Sequence, residues 1–492
     1  MTRLGRDAVD TEGLRRVRGV LDTAGYEDKG ILDALGGDKL RGLGAQRLPP
    51  LLRRTSGGSP IEALVRLFVL GVEVDGGDVR RALAPMDPEA WVALGLLEPS
   101  GDAYRAAVSL RAYQGLVVAS DFARRDPESG LAPDHVMGIS QSSLSLAALT
   151  VRDPVPAALD VGSGGGFQAL LASRHADRVL AVDANPRAVH LARMNAALNR
   201  VDHVECCVGD LLEPAGDERF GLIVSNPPFI VSPGATHQFL STPLPGDTLC
   251  ERLARMAPAH LTEGGWCQFL CNWIVPDAGS WEQRLSGWFD ESGCDVWVMR
   301  QSTLPVDEYA CEWIETDTDD PADFAARFEE WMASYADLGA EAIGFGLITM
   351  RRRGGDNWFR ADDAPDAMAF EAGGDMARLF AITDFLDTHT DAELLACRLG
   401  LPAETHLVQD SVPSDGGWRV ESSLLRRDGG LAYAGTIDPA GAALLARFDG
   451  TRPVAALLDE LAADVGMRQA DAATTWLATI RRLLESGLLE PV

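Results

Sequence analysis

Lysine is almost missing from this chain: only Lys29 and Lys39 occur in 492 residues. Arginine carries the positive charge, and with abundant Ala, Gly and Asp this reflects a GC-rich coding bias rather than a function. Long apolar runs are missing too, so no stretch reads as a bilayer-spanning helix. Met1 to Asp10 is charged and lacks the apolar core of a secretory leader. These absences lead to the expectation of a soluble, cytoplasmic protein. No Cys-x-x-Cys occurs among the 8 cysteines. Cys206-Cys207 and Cys267-x-x-x-Cys271 lie in apolar runs and read as buried free thiols. No metal site is expected from such spacing.

The net charge is −29, which repels nucleic-acid phosphate over most of a surface. An RNA partner would need a local basic patch. Arg53-Arg54 with Arg66, Arg80-Arg81 and Arg351-Arg352-Arg353 are the candidates. Each reads as a solvated face or a strand end.

A chain of 492 residues predicts more than one domain. Residues 1–120 read as several short helices followed by a small hairpin, a winged-helix-like module. The expected helices are Leu14 to Ala24, Gly30 to Leu35, Ile61 to Leu70, Asp75 to Leu83 and Pro88 to Leu94. Pro49, Pro50, Gly57 and Gly58 mark an irregular stretch, and Tyr104 to Val118 reads as a strand broken near Arg111. Residues 121–155 form a linker with one helix, Gln141 to Thr150, with a serine-rich start; it reads as a packing helix ahead of one bordering the cofactor site.

Residues 156–353 alternate apolar strands with helical patterns. Val179 to Val182, Val204 to Val208, Leu222 to Val224, Cys267 to Leu270, Val296 to Val298 and Ile343 to Met350 are the strands. Such continuous apolar runs suit strands buried on both faces. The alternation predicts an α/β, doubly wound, Rossmann-like sheet. Residues 354–492 read as a second winged-helix-like module of α+β type. Its helices are expected from Gly373 to about Leu386, Ala440 to Arg447, Val454 to Asp464 and Thr474 to Leu484.

Two signatures sit at strand ends inside the sheet domain. The first is Asp160-Val161-Gly162-Ser163-Gly164-Gly165-Gly166. Glycines at 162, 164 and 166 let backbone approach a ligand, and the next helix offers free N–H groups. Asp183 ends the following strand, where a carboxylate can accept both hydroxyls of a ribose. Asp210 ends the third, where it can meet an adenine amino group. A dinucleotide fingerprint would need Gly or Ala where Phe167 stands, which excludes a nicotinamide or flavin enzyme. S-adenosylmethionine is the expected cofactor.

The second signature is Asn226-Pro227-Pro228-Phe229. An amide or exocyclic amine nitrogen is a poor nucleophile because its lone pair is delocalised. The Asn226 side-chain oxygen and the Pro227 carbonyl can each accept one N–H and favour the nucleophilic form. Phe229 can stack on a planar target. The prolines stiffen the loop before substrate arrives. Positioning alone can contribute roughly 7–11 kcal/mol.

These residues carry a resemblance. The segment from Ala157 to Trp273 resembles the class I methyltransferases with an Asn-Pro-Pro-Tyr/Phe motif, the methyltransferase small domain group. Within it, Ile223 to Ile230 looks most like the release-factor glutamine methyltransferases, and RNA N6-adenine and N2-guanine methyltransferases share the motif. The resemblance implies S-adenosylmethionine bound at Gly162, Gly164, Asp183 and Asp210, and a target held at Asn226 and Phe229. It also implies a macromolecular substrate, a protein glutamine ahead of an rRNA or tRNA base. Two departures stand out: Phe229 replaces the tyrosine usual in the glutamine enzymes, and Val231-Ser232-Pro233-Gly234 replaces their acidic segment.

Other residues read as structural. His135 and His237 are taken as ordinary loop histidines, Asp247 as a helix cap, and Trp266 and Trp273 as core. A non-catalytic scaffold that keeps a methyltransferase-like domain is the rival reading.

Overall fold

A computed structural model describes residues 9–37, 48–122, 132–234, 244–276, 280–316, 318, 320–365, 372–414, 416–431, 434–466 and 468–492. It divides into two compact units, 1–146 with 153–363, and 147–152 with 364–492. His237 and its neighbours lie outside the described residues.

The first unit begins with α1 (Thr11–Thr23), α2 (Asp28–Ala34), α3 (Leu48–Arg54), α4 (Pro60–Phe68), β1 (Val74–Asp75), α5 (Gly76–Leu83), α6 (Pro88–Ala93), β2 (Leu97–Ser100), β3 (Ala103–Ala106), β4 (Ser109–Tyr113) and β5 (Leu116–Ser120). Pro60 opens α4, and Glu62 accepts both the N–H and the hydroxyl of Ser59 at 2.9 and 2.6 Å. Within the Pro/Gly-containing stretch, Pro49 and Pro50 fall in the first turn of α3, where no N–H is needed, while Gly57 and Gly58 lie between α3 and α4. The strand break lies not at Arg111, which pairs with Val118 inside the β4–β5 hairpin, but at a tight turn. There Gln114 and Gly115 both take positive φ, 47° and 79°, as a two-residue hairpin demands.

The sheet domain follows with α7 (Gln141–Leu149), β6 (Val155–Val161), α8 (Phe167–Ala172), β7 (Ala176–Asp183), α9 (Pro186–Leu198), β8 (Val204–Val208), β9 (Phe220–Ser225), α10 (Thr248–Met256), β10 (Leu261–Pro276), α11 (Trp281–Ser286), β11 (Cys294–Pro305), α12 (Val306–Glu315), α13 (Pro321–Leu338), β12 (Ala340–Arg352) and β13 (Phe359–Asp363). Its 8 strands run in the order β13-β11-β12-β10-β9-β6-β7-β8. β12 is antiparallel to β10 and β11, while β6, β7, β8, β9 and β10 pair in parallel. Strand order reverses between β6 and β9, the place where open α/β sheets bind ligands at their strand ends. β9 is buried along its whole length, as a central strand covered on both faces must be.

Two domain edges differ from the sequence expectation. β13 pairs with β11 and so carries the sheet past residue 353. Residues 1–120 share one apolar core with α9, whose Ala188, Leu191, Met194 and Leu198 pack among Leu14, Leu64 and Trp91. The reason is local: α9 turns an apolar face toward the N-terminal helices instead of toward solvent.

The second unit contains α14 (Gly373–Thr388), α15 (Asp391–Ala396), β14 (Arg398–Gly400), β15 (Thr405–Ser414), β16 (Gly417–Arg427), β17 (Ala434–Thr436), α16 (Pro439–Leu445), β18 (Asp449–Pro453), α17 (Val454–Val465), α18 (Gln469–Glu485) and β19 (Glu490–Pro491). It holds two three-stranded sheets, β18-β14-β19 and β15-β16-β17. The β15–β16 hairpin had no sequence signal, because both of its faces are largely exposed and no alternation marks one.

Candidate active site

A cavity of about 620 Å³ opens at the C-terminal ends of β6, β7 and β9. The glycine signature forms one wall. Gly162, Gly164 and Gly166 all take positive φ, 65°, 53° and 78°, which explains three glycines at alternate positions. At Gly166 a Cβ would also come within 3.1 Å of Ala192 on α9. The Ser163 hydroxyl in this loop is buried and has no hydrogen-bond partner among the described residues.

Asp160 stands under the loop, 1% exposed, and accepts the Ala169 N–H from the first turn of α8 at 2.8 Å. Burial pushes its carboxyl up to about 7; the Ala169 bond opposes the rise and the Asp183 charge adds to it. Asp183 accepts the Gly164 N–H at 2.8 Å and the Asn185 N–H at 2.8 Å. Burial raises its pKa as well, against those two bonds. Each Asp183 oxygen keeps a further lone pair for a ligand. Asp210 is exposed on the cavity wall and meets Arg252 at 3.2 Å. The residue after it, Leu211, holds φ at 46°, a costly conformation for a branched side chain, and lines the cavity.

The second signature forms the opposite wall. Ser225 ends β9, and its hydroxyl donates to the Val161 carbonyl at 2.7 Å, tying the two signature strands together. Asn226 Nδ2 donates to the Ser142 and Ser143 hydroxyls at 3.3 and 3.2 Å. Asn226 Oδ1 is buried and has no partner among the described residues. Pro227 lies against the glycine loop, its Cα 3.8 Å from where a Gly162 Cβ would stand. Pro227 and Pro228 line the cavity; Phe229 does not. Phe229 packs on Phe345 of β12, ring centroids 5.5 Å apart, between two apolar clusters.

The loop beyond it is clamped from above. Tyr309 of α12 accepts the Val231 N–H at 3.2 Å, and Tyr335 of α13 donates to the Val231 carbonyl at 2.8 Å. Burial raises the pKa of both phenols, so they stay neutral donors and acceptors. The sequence reading missed α12 and these tyrosines. Their signal was an aromatic spacing, Tyr309, Trp313, Trp331 and Tyr335, which assembles into one cluster.

Three further readings change. The Ser-rich start of α7 is part of the site, through Asn226, and not only a packing surface. His135 is a buried cavity-wall residue, not a solvated loop histidine; its Nδ1 lies 3.9 Å from Asp121. Burial works against the Asp121 charge, but bonds from Arg187 and the Val136 N–H hold its carboxyl below the usual range. Asp247 caps nothing with its side chain; it forms a bidentate pair with Arg284, 2.7 Å on each arm, and accepts the Ile274 N–H. Trp266 and Trp273 are buried in the core.

With this geometry in view, comparison with known proteins is informative. The methyltransferase small domain model matches residues 140–276. A release factor glutamine methyltransferase of Cereibacter sphaeroides is 31% identical over 232 residues, 41% of this chain and 80% of that protein. The chain belongs to the methyltransferase small domain family. A release factor glutamine methyltransferase of Xylella fastidiosa is 38% identical over 125 residues, 23% of this chain and 46% of that protein. A tRNA1(Val) (adenine(37)-N6)-methyltransferase of Porphyromonas gingivalis is 37% identical over 108 residues, 20% of this chain and 42% of that protein. The chain spans about half the length of several such relatives. Residues 23–107 match a domain of unknown function (DUF7059), and residues 377–491 match another (DUF7782).

Proposed function

We propose that this protein is an S-adenosylmethionine-dependent N-methyltransferase whose target is a planar amide nitrogen of a protein, a glutamine side chain first of all. One observation carries the reading: Asn226 lines the cavity, and its Oδ1 is a buried acceptor with no partner among the described residues. A buried acceptor left unpaired costs roughly 1–3 kcal/mol, so an N–H-bearing target recovers that energy on binding.

The residues present fit the cofactor. Asp183 has free lone pairs at the β7 end, Asp210 stands at the β8 end, and the Ser163 hydroxyl is unpartnered in the glycine loop. The cofactor supplies an electrophilic methyl group on a sulfonium. Asn226 and the Pro227 carbonyl would then hold two N–H groups of the target and aim its nitrogen lone pair along the transfer line. Once methylated, the nitrogen is acidic and loses its proton without a strong base. Phe229 supports this loop from behind, through Phe345, instead of stacking on the target.

A protein target is favoured over RNA because the net charge is −29 and the Arg351-Arg352-Arg353 run and Arg81 are engaged, while Arg53 and Arg80 stay exposed. Arg351 and Arg353 both hold the buried Asp295, at 2.6 and 2.8 Å. Arg352 donates to the Pro258 carbonyl, and Arg81 pairs with Asp78.

The test uses tritiated S-adenosylmethionine and a lysate from a strain lacking the gene, treated in halves with protease or ribonuclease. Label released by protease and mapped to glutamine supports the reading. Label released only by ribonuclease makes the target an RNA base. Failure of S-adenosylhomocysteine to bind the folded protein in calorimetry sinks the cofactor assignment.

A further inference from the structure

We propose that Ser142 and Ser143 are positioning residues that fix which end of the Asn226 amide faces the target, and so make the site select for N–H donors. This deepens the methyl-transfer reading and rests on it.

An asparagine amide presents an acceptor on one side and a double donor on the other. Rotated by half a turn, Asn226 would offer N–H groups to the cavity. It would then repel a glutamine nitrogen and welcome a carboxylate. Nothing in the Asn-Pro-Pro-Phe sequence itself decides between the two. The structure does: both Nδ2 hydrogens have acceptors, Ser142 Oγ at 3.3 Å and Ser143 Oγ at 3.2 Å. Oδ1 is left for the target.

The serines are themselves held. Ser140 Oγ lies 2.8 Å from Ser142 Oγ and 3.0 Å from Ser143 Oγ, and accepts the Ser143 N–H at 3.1 Å. The turn that carries them is fastened to the cofactor side of the cavity. Gln168 of α8, 7% exposed, donates to the Ser143 carbonyl at 2.8 Å. A chain of contacts therefore runs from the helix behind the glycine loop, through the start of α7, to the amide that meets the target. With one Ser140 lone pair taken by the Ser143 N–H, one of the two serines donates to Ser140 Oγ and the other accepts its proton, while a lone pair on each takes an Asn226 hydrogen. That arrangement is lost when either oxygen is removed.

The consequence is discrimination. A site built to pair an N–H rejects an isosteric group lacking it far more strongly than apolar contact can, because its buried acceptor stays unpaired. A glutamate, with the shape of glutamine and acceptors only, would face Oδ1 acceptor to acceptor.

The experiment compares the wild-type protein, Ser142→Ala/Ser143→Ala and Ser142→Thr. Methyl incorporation is measured at saturating tritiated S-adenosylmethionine with the protein fraction of the lysate as acceptor. The double variant is expected to lose roughly 10- to 100-fold in rate, the equivalent of one buried hydrogen-bonding error. Its affinity for S-adenosylhomocysteine should stay within about twofold, since the amide acts on the target. Ser142→Thr, which keeps a hydroxyl at 142, should retain most of the wild-type rate. A second readout does not need turnover: crystal structures of both proteins at atomic resolution. The Asn226 amide should be single and Nδ2-to-serine in the wild type, and rotated or split in the double variant. One unchanged amide orientation in the double variant overturns the proposal, as does a rate loss matched by lost S-adenosylhomocysteine affinity. Wild-type protein that methylates nothing would end the methyl-transfer reading while the rotamer comparison still decides the role of the serines.

Discussion

Asn195 grips Ala119 by both of its backbone polar groups. Its Oδ1 accepts the Ala119 N–H at 2.7 Å and its Nδ2 donates to the Ala119 carbonyl at 2.9 Å. One turn along α9, Asn199 does the same to Val117, at 2.8 and 2.7 Å. Side-chain amides thus stand in for a neighbouring strand along β5. The Asn195 Nδ2 also reaches the Gly165 carbonyl at 2.8 Å, so the same residue braces the glycine loop. The N-terminal segment and the cofactor wall are built on one helix.

Asn195→Ala should therefore destabilise the protein by roughly 3 kcal/mol, since it strands buried backbone groups at Ala119 and Gly165. Chemical denaturation followed by fluorescence would measure this. A midpoint unchanged from the wild type would show that β5 is not held in this way.

Asn226→Ala should remove turnover while leaving S-adenosylhomocysteine affinity nearly intact. The residue touches the serines of α7, and under the proposed reading its free oxygen meets the target while Asp183 holds the cofactor ribose. Calorimetry beside the tritium assay separates the two effects. Equal loss of binding would move Asn226 to the cofactor.

Asp160 links the site to pH. Its folded pKa of about 7 lies above the ordinary carboxylate value of 3.8, because the ionised form is buried. A raised acid pKa means the neutral form suits the fold. Its contribution to stability is fully present below about pH 4, and is lost as pH rises toward and through 7. The melting temperature should fall between pH 5 and pH 8 in the wild type, and less in Asp160→Asn. A cationic ligand beside Asp160 favours the carboxylate, so binding of S-adenosylmethionine near pH 6.5 should release protons. Calorimetry in buffers of different ionisation enthalpy reads that release directly, and its absence would separate Asp160 from the bound charge.

Tyr335→Phe leaves the Val231 carbonyl, now paired at 2.8 Å, without its donor inside an aromatic cluster. The expected result is roughly a tenfold lower rate with unchanged S-adenosylhomocysteine affinity, because the clamp lies beyond the catalytic loop. Tyr309→Phe removes an acceptor for the Val231 N–H and should act the same way. Full activity in both variants would make the α12–α13 hairpin a packing device alone.

Much of the central sheet was legible because its causes are local. Pro186 at the first turn and Asn185 accepting the Arg187 N–H fix the start of α9 from sequence alone. The buried runs of β7 and β9 announce themselves by apolar continuity. The glycines at 162, 164 and 166 are dictated by positive φ, and a turn needing it reads directly from residue type. Asp160, Asp183 and Asn226 lie within one residue of the ends of β6, β7 and β9, where the apolar runs stop.

The tertiary structure decided what depends on partners distant in sequence. Ser142 and Ser143 meet Asn226 across more than 80 positions, and no period in α7 marks them as site residues. Phe229 is drawn behind its loop by Phe345, although its motif places it beside the target. Asn195 is polar on a helix face that sequence alone would give to solvent, yet it is 0% exposed, because only β5 has the unpaired edge that its amide satisfies. Local chemistry wrote the loops and strand ends; hydrogen-bond satisfaction between remote segments chose which way the Asn226 amide faces.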